Sequence, residues 1–126
     1  MNARFNKREH LVSTRLIETL FGSGSKALPA FPLRVVYQKV PRSTVDVPVQ
    51  ILISVSKKRF KHAVDRNRIK RQVREAYRHN KQPLVDAVAG DESLLVAFVW
   101  ISDQHAPSAK VARQMERLVG RIAESV

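Results

Sequence analysis

The chain contains no cysteine. Disulfide staples, thiolate nucleophiles and cysteine-ligated zinc are therefore excluded. It also lacks any run of ~18 uninterrupted apolar residues, the length that a membrane-spanning helix needs. The opening MNARFNKREH has none of the apolar stretch of a secretory signal, so the expectation is a soluble cytoplasmic protein. Only four glycines occur, and nowhere do they form a phosphate-cradling loop. The four histidines, His10, His62, His79 and His105, are scattered, with no carboxylate or serine partner at a suggestive spacing. No protein-borne acid–base or metal constellation is evident from the sequence.

Negative charge is scarce as well. Eleven Asp and Glu face twenty-three Lys and Arg, a net charge of +12. That balance predicts a polyanionic partner, nucleic acid first and an anionic membrane surface second. The chain is nevertheless no basic tail. Its 126 residues are 44% hydrophobic, enough for one domain that buries roughly 65% or more of its unfolded surface. The expected organisation is a single domain over 1–126, with residues 1–10 a flexible basic arm.

Periodicity places the elements. Leu16, Ile17, Leu20 and Phe21 recur at helical spacing from about Ser13 to Phe21, where Gly22 and Gly24 stop the helix. KALPAFP reads as a turn into a first strand, roughly Leu33 to Val40, and RSTVD as a second turn. Val47, Val49, Ile51, Ile53 and Val55 then alternate with mostly polar neighbours, the period of a half-buried strand, with Pro48 at its start. After a long basic segment, Pro83 opens a short helix that Gly90 closes. SLLVAFVWIS is apolar throughout and predicts a central strand covered on both faces, with Trp100 in the core. Pro107 opens a last helix in which Val111, Met115, Leu118 and Ile122 form one stripe. The order α-β-β-α-(α)-β-α suggests a two-layer α/β sandwich.

The informative stretch is DRNRIKRQVREAYRHNK, Asp65–Lys81. On a helical wheel of 100° per residue, Ile69, Val73 and Ala76 cluster within about 60°, with Tyr77 at the margin. Beside them lies a nearly pure cationic stripe of Asn67, Lys70, Arg71, Arg74, Arg78 and Lys81; Asp65 is placed to cap the first turn. A solvated face mixes signs at i, i+4, whereas Lys70, Arg74 and Arg78 repel one another by a few tenths of a kcal/mol per pair. Only Glu75 opposes them within the helix, away from the stripe. Upstream, SVSKKRFKHAV adds Lys57, Lys58, Arg59 and Lys61, so eleven of the twenty-three cations fall between Lys57 and Lys81. Most of them are arginines, whose planar fork suits bidentate phosphate contact.

These residues resemble a known signature. ISVSKKRFKHAVDRNRIKRQVREAYR is similar to the hallmark of the bacterial ribonuclease P protein component: Ser-Val-Ser-Lys-Lys, then the box Arg66-Asn67-Arg68, then a helix ending in Glu-Ala-Tyr-Arg. The resemblance implies an α+β fold, a two-layer sandwich of the ribosomal protein S5 domain 2 kind. Its β-α-β crossover is left-handed, against the usual rule. It implies the protein subunit of an endoribonuclease that removes the 5′ leader of precursor tRNA, with catalysis carried by an RNA subunit, bound 1:1, and by Mg²⁺ held mainly on that RNA. RNA-binding residues would be Lys57, Lys58, Arg59, Lys61, Arg66, Asn67, Arg68, Lys70, Arg71, Arg74 and Arg78. A separate leader cleft between the sheet and the first helix would comprise Ile17, Phe21, Val35 and Tyr37. Ile17 stands where the family often has Phe, and RFKH replaces a shorter glycine-containing loop.

Two other classes share the charge pattern. A general or ribosomal RNA-binding protein needs no leader cleft, and a membrane-surface protein needs a broad apolar face backed by cations. Here the apolar stripe is narrow and matches the needs of a core.

Overall fold

The computed structural model describes residues 7–126. In chain order its elements are α1 (Thr14–Phe21), β1 (Lys26–Ala30), β2 (Leu33–Pro41), α2 (Arg42–Val45), β3 (Val49–Ser54), α3 (Ala63–Asn80), α4 (Gln82–Ala87), β4 (Glu92–Trp100) and α5 (Ser108–Ser125), after one 3-10 turn at Lys7–Glu9. The strands form one mixed sheet in the order β1-β2-β4-β3, with β3 parallel to β4 and the other pairs antiparallel. The α+β class expected from the sequence is the class observed. No described helix is long and apolar enough to cross a membrane.

The apolar run of β4 organises the rest. It lies between β2 and β3, and its side chains alternate between two separate cores. Leu94, Val96, Phe98 and Trp100 face the larger one, with Ile69 and Val73 of α3 and Val111, Met115, Leu118 and Ile122 of α5. Leu95 and Ala97 face the smaller one, with Val36, Leu11 and Leu20 of α1. Burying a side chain of this size contributes about 1.5–3 kcal/mol, so both covers are strongly favoured. Ser13 caps α1, its hydroxyl accepting from the Leu16 amide at 3.3 Å.

Two segments read as turns are regular elements. KALPA is β1, paired with β2 from Lys26–Tyr37 to Ala30–Leu33. Pro29 argues against a strand in general but is tolerated on an edge, where a missing N–H costs no ladder bond. RSTVD holds the short α2, ended by Asp46 in the left-handed region at φ 58°. Arg42 ties this turn to the start of β4, its Nε donating to the Glu92 carbonyl at 2.8 Å.

Of the arm expected over 1–10, residues 1–6 lie outside the described residues, and the chain from Lys7 onward packs on the sheet. The segment runs along the outer edge of β3, where unpaired backbone groups need partners. His10 forms a parallel bridge with Ile51, and the Leu11 amide donates to the Ile51 carbonyl at 2.8 Å. Glu9 reaches Lys81, whose Nζ donates to its two carboxylate oxygens at 2.8 and 3.0 Å. Both side chains are almost enclosed, 12% and 8% exposed. Lys81 is thus not part of an outward stripe: it sits at the joint of α3 and α4 and holds the N-terminal strap.

Removing the Lys81 ammonium takes away the donor to both Glu9 carboxylate oxygens, which are almost enclosed, and breaking a buried pair is destabilising. Lys81→Ala is therefore expected to lower the urea-unfolding free energy and to speed amide exchange at Leu11, whose N–H bonds to β3. Unchanged stability and unchanged exchange at Leu11 would refute this account of the strap.

Candidate nucleic-acid interface

Helix α3 begins at Ala63, two residues before Asp65, and His62 at its N-cap makes no side-chain capping bond. Asp65 is thus not the cap that its spacing suggested. Its carboxylate still lies in the first turn, where the helix dipole favours it. Oδ1 lies 3.2 Å from His105 Nε2 in the loop after β4. That loop and the basic turn before α3 are tied together twice more. The His105 ring packs against the buried Phe60 at 5.1 Å between centroids, and Arg59 Nη1 donates to Asp103 Oδ1 at 2.8 Å.

The inner face of α3 is Ile69, Val73, Ala76 and Tyr77, all buried. Tyr77 is fully enclosed rather than marginal, tilted against Phe98 at 5.8 Å. Burial, with the Glu9 charge adding to it, pushes its phenol well above the ordinary range. On the outer side, Asn67, Arg68, Arg71 and Arg74 are exposed, and Lys70 is half-buried. Lys57, Lys58 and Lys61 are exposed on the preceding turn, where the Lys58 amide donates to Ser56 Oγ at 3.0 Å. These seven cations make no ion pair among the described residues.

Three of the predicted contacts are already engaged. Arg59 holds Asp103, and Arg66 Nη1 donates to the carbonyls of Phe60 and Lys61 at 2.8 and 2.9 Å, fastening the basic turn to the helix. Arg78 binds Glu75, which also lies 3.0 Å from His79 Nε2. Glu75 is therefore not remote from the cations: an i, i+3 partner lies within reach of any helical carboxylate. The Arg78 hydrogen bond, helped by His79, holds its carboxyl down to about 2. Between α3 and α5 runs a groove of about 570 Å³, rimmed by Arg68, Arg71, Glu75 and His79 and floored by Ala76 and Ala112.

The predicted leader cleft is only partly assembled. Ile17 packs half-buried on the smaller core beside Val36, and Phe21, at the end of α1, is 49% exposed. Val35 and Tyr37 are on the opposite face, 0% and 5% exposed in the larger core, with Tyr37 Oη 2.9 Å from Ser125 Oγ of α5. The period of two in β2 forces this split. Residues 33, 35 and 37 share the α5 face, so the α1 face of β2 presents Arg34, Val36 and Gln38 instead. Arg34 is exposed there, opposite Val99 of β4 and Pro29 of β1. The alternation Leu33-Arg34-Val35 carried that signal in the sequence.

Helix α5 carries a further row. Lys110, Arg113, Arg117 and Arg121 follow one another along α5, a helix assigned only a core stripe from its sequence. Among the described residues, no group of three or more His, Asp or Glu could hold a metal ion.

Comparison with known proteins agrees with the architecture. The family model for Ribonuclease P matches residues 5–123. The ribonuclease P protein component of Porphyromonas gingivalis is 43% identical over 122 residues, covering 96% of this chain and 88% of the relative. That of Chlorobium phaeobacteroides is 45% identical over 128 residues, covering 92% and 86%. The solved ribonuclease P protein from Thermotoga maritima superposes with a TM-score of 0.65 at 23% identity, over 90% of this chain and 97% of its own. The Staphylococcus aureus protein gives 0.66 at 19% identity, over 92% and 95%. A match across nearly the whole chain, with the Arg66-Asn67-Arg68 box on an exposed basic helix, establishes that this chain belongs to the ribonuclease P protein family.

Proposed function

We propose that the protein binds the catalytic RNA of ribonuclease P, one to one, through α3 and the preceding basic turn. In the same reading it receives the 5′ leader of precursor tRNA on the α1 face and so assists endonucleolytic removal of that leader. The observation that carries this reading is the run of cations from Lys57 to Arg74, of which all but Arg59 make no ion pair among the described residues. RNA phosphates would supply the missing charge, through charge-assisted hydrogen bonds that arginine makes bidentately. Arg66 acts one step back: it fixes the turn that presents Lys57, Lys58 and Lys61. On the other face, Phe21 offers an exposed ring for an unpaired base and Arg34 a charge for the backbone between bases. The described residues do not form a metal-ligand set, and Mg²⁺ is assigned to the RNA in this reading. Cytoplasmic action follows, since the substrate is made there.

Three outcomes test the reading. RNA-free protein is expected to leave precursor tRNA intact, and addition of the RNA subunit to produce 5′ maturation at low Mg²⁺. Cleavage by rigorously RNA-free protein would overturn it. RNA affinity should fall linearly with salt on a log–log plot, at about −0.7 to −0.9 per phosphate contact; a flat response rules out the phosphate role.

Arg68→Ala is expected to weaken RNA binding by about 1.5–3 kcal/mol without moving the melting temperature, because among the described residues its side chain makes no hydrogen bond or ion pair. Arg66→Ala should weaken binding and also loosen the turn, seen as faster amide exchange at Phe60 and Lys61. Unchanged exchange there would remove the bracing role.

Phe21→Ala separates the two surfaces. Loss of a stacking ring should cost roughly 1–3 kcal/mol of holoenzyme affinity for precursor tRNA, while mature tRNA and RNA-subunit binding hardly change. Equal loss for both tRNAs would sink the assignment.

A further inference from the structure

The larger core leaves one long cationic feature unused. Lys110, Arg113, Arg117 and Arg121 lie on one side of α5, and the three arginines repeat at i, i+4 and i+8. The arginines are exposed, and none of the four makes an ion pair among the described residues. Partners of opposite sign are at hand: Glu116 is three residues after Arg113, and Glu124 three after Arg121. Such i, i+3 pairs form readily on solvated helices. Here they do not form, while like charges stand one turn apart, each such pair costing some helix stability.

An aromatic ring stands at the N-terminal end of this row. Phe31, at the tip of the β1–β2 hairpin, is 53% exposed. Lys110 Nζ lies 5.5 Å from its ring centroid, and Gln114 Nε2 donates to the Phe31 carbonyl at 2.8 Å, so the tip is fastened to α5. Lys110 to Arg121 spans roughly 16 Å at 1.5 Å per residue. Cations in line with a held, exposed ring are what a strand of nucleic acid requires: charges for successive phosphates and a face for one base.

We propose that α5 and the hairpin tip form a second contact surface for the RNA subunit. The inference rests on the reading that α3 binds that RNA. Helices α3 and α5 cover the same face of the sheet, so one RNA lying on the helical layer meets both. A leader on the α1 face is separated from α5 by the sheet, which is why the RNA subunit and not the leader is assigned here. Arg113, Arg117 and Arg121 bind phosphates, and Phe31 stacks on an unpaired base.

The test uses the full chain with three charges reversed, Arg113→Glu, Arg117→Glu and Arg121→Glu, and a second variant, Phe31→Ala. RNA-subunit affinity is measured across a salt series, beside an Arg71→Ala, Arg74→Ala control on α3. The reversed variant should bind at least tenfold more weakly, with a log–log salt slope shallower by about two, and Phe31→Ala about tenfold more weakly. A conservative Arg113→Lys, Arg117→Lys, Arg121→Lys variant should keep the slope, which a loss of folding would not allow. If the α3 control weakens binding and the α5 variants leave affinity and slope unchanged, this surface is refuted alone. If the α3 control also binds normally, the reading of α3 fails first. A change confined to the ratio of precursor to mature tRNA affinity would move the contact to the substrate and overturn the assignment.

Discussion

A strand that is apolar on both faces cannot be left half covered. β4 places Leu94, Val96, Phe98 and Trp100 on one side and Leu95 and Ala97 on the other, and each set loses its burial free energy unless something packs on it. Because β4 is internal in the sheet, its neighbours β2 and β3 extend both apolar surfaces. The larger takes two long helices, and the smaller takes the two turns of α1 and the strap residue Leu11. Both faces of the sheet are therefore covered because the central strand has two apolar ones. A helical layer rich in uncompensated Arg and Lys stands on one face. A shorter helix on the other leaves room beside it on β2.

Electrostatic cost and structural role are divided among the cations. Arg59, Arg66, Arg78 and Lys81 each have a partner that shapes the fold: an inter-loop carboxylate, two turn carbonyls, a helical Glu and the strap. The remaining cations of the basic segment are held in place by their backbone and by the apolar stripe beneath them. Their mutual repulsion is borne by the packing of Ile69, Val73 and Tyr77, since a few tenths of a kcal/mol per pair is small beside about 1.5–3 kcal/mol per buried side chain. A charged face of this kind can persist without its polyanion because the face behind it is apolar.

The sequence was legible where one element's own period decided the outcome. The stripe of α5, the core side of α3 and the double burial of β4 all follow from spacing within one segment. It was illegible where a distant segment decided. Nothing local to Lys81 says that Glu9, 72 residues away, will enclose it. Nothing local to KALPA says that β2 will offer an edge, and a proline there weighs against a strand until the edge is known. Val35 and Tyr37 fail differently. Their place in the strand follows from its period, but which face they share depends on where α1 docks, and α1 packs on the side of Val36. The row on α5 was fully visible as Arg113, Arg117 and Arg121; the apolar stripe on the same helix gave that segment a sufficient role.

The strap links the two faces physically. Glu9 ends a turn whose next residues, His10 and Leu11, pair with β3 and enter the smaller core, while its carboxylate reaches past that edge to Lys81 at the end of α3. One short segment thus fixes the C-terminal end of the basic helix and contributes to the floor on which α1 rests. It also keeps the β3 edge from pairing with another chain, a hazard for any exposed strand edge. The same ion pair brings the Glu9 charge close enough to reinforce the neutral state of the Tyr77 phenol, already favoured by burial. The placement of the cationic surface therefore depends on a contact made by residues that carry none of its charge.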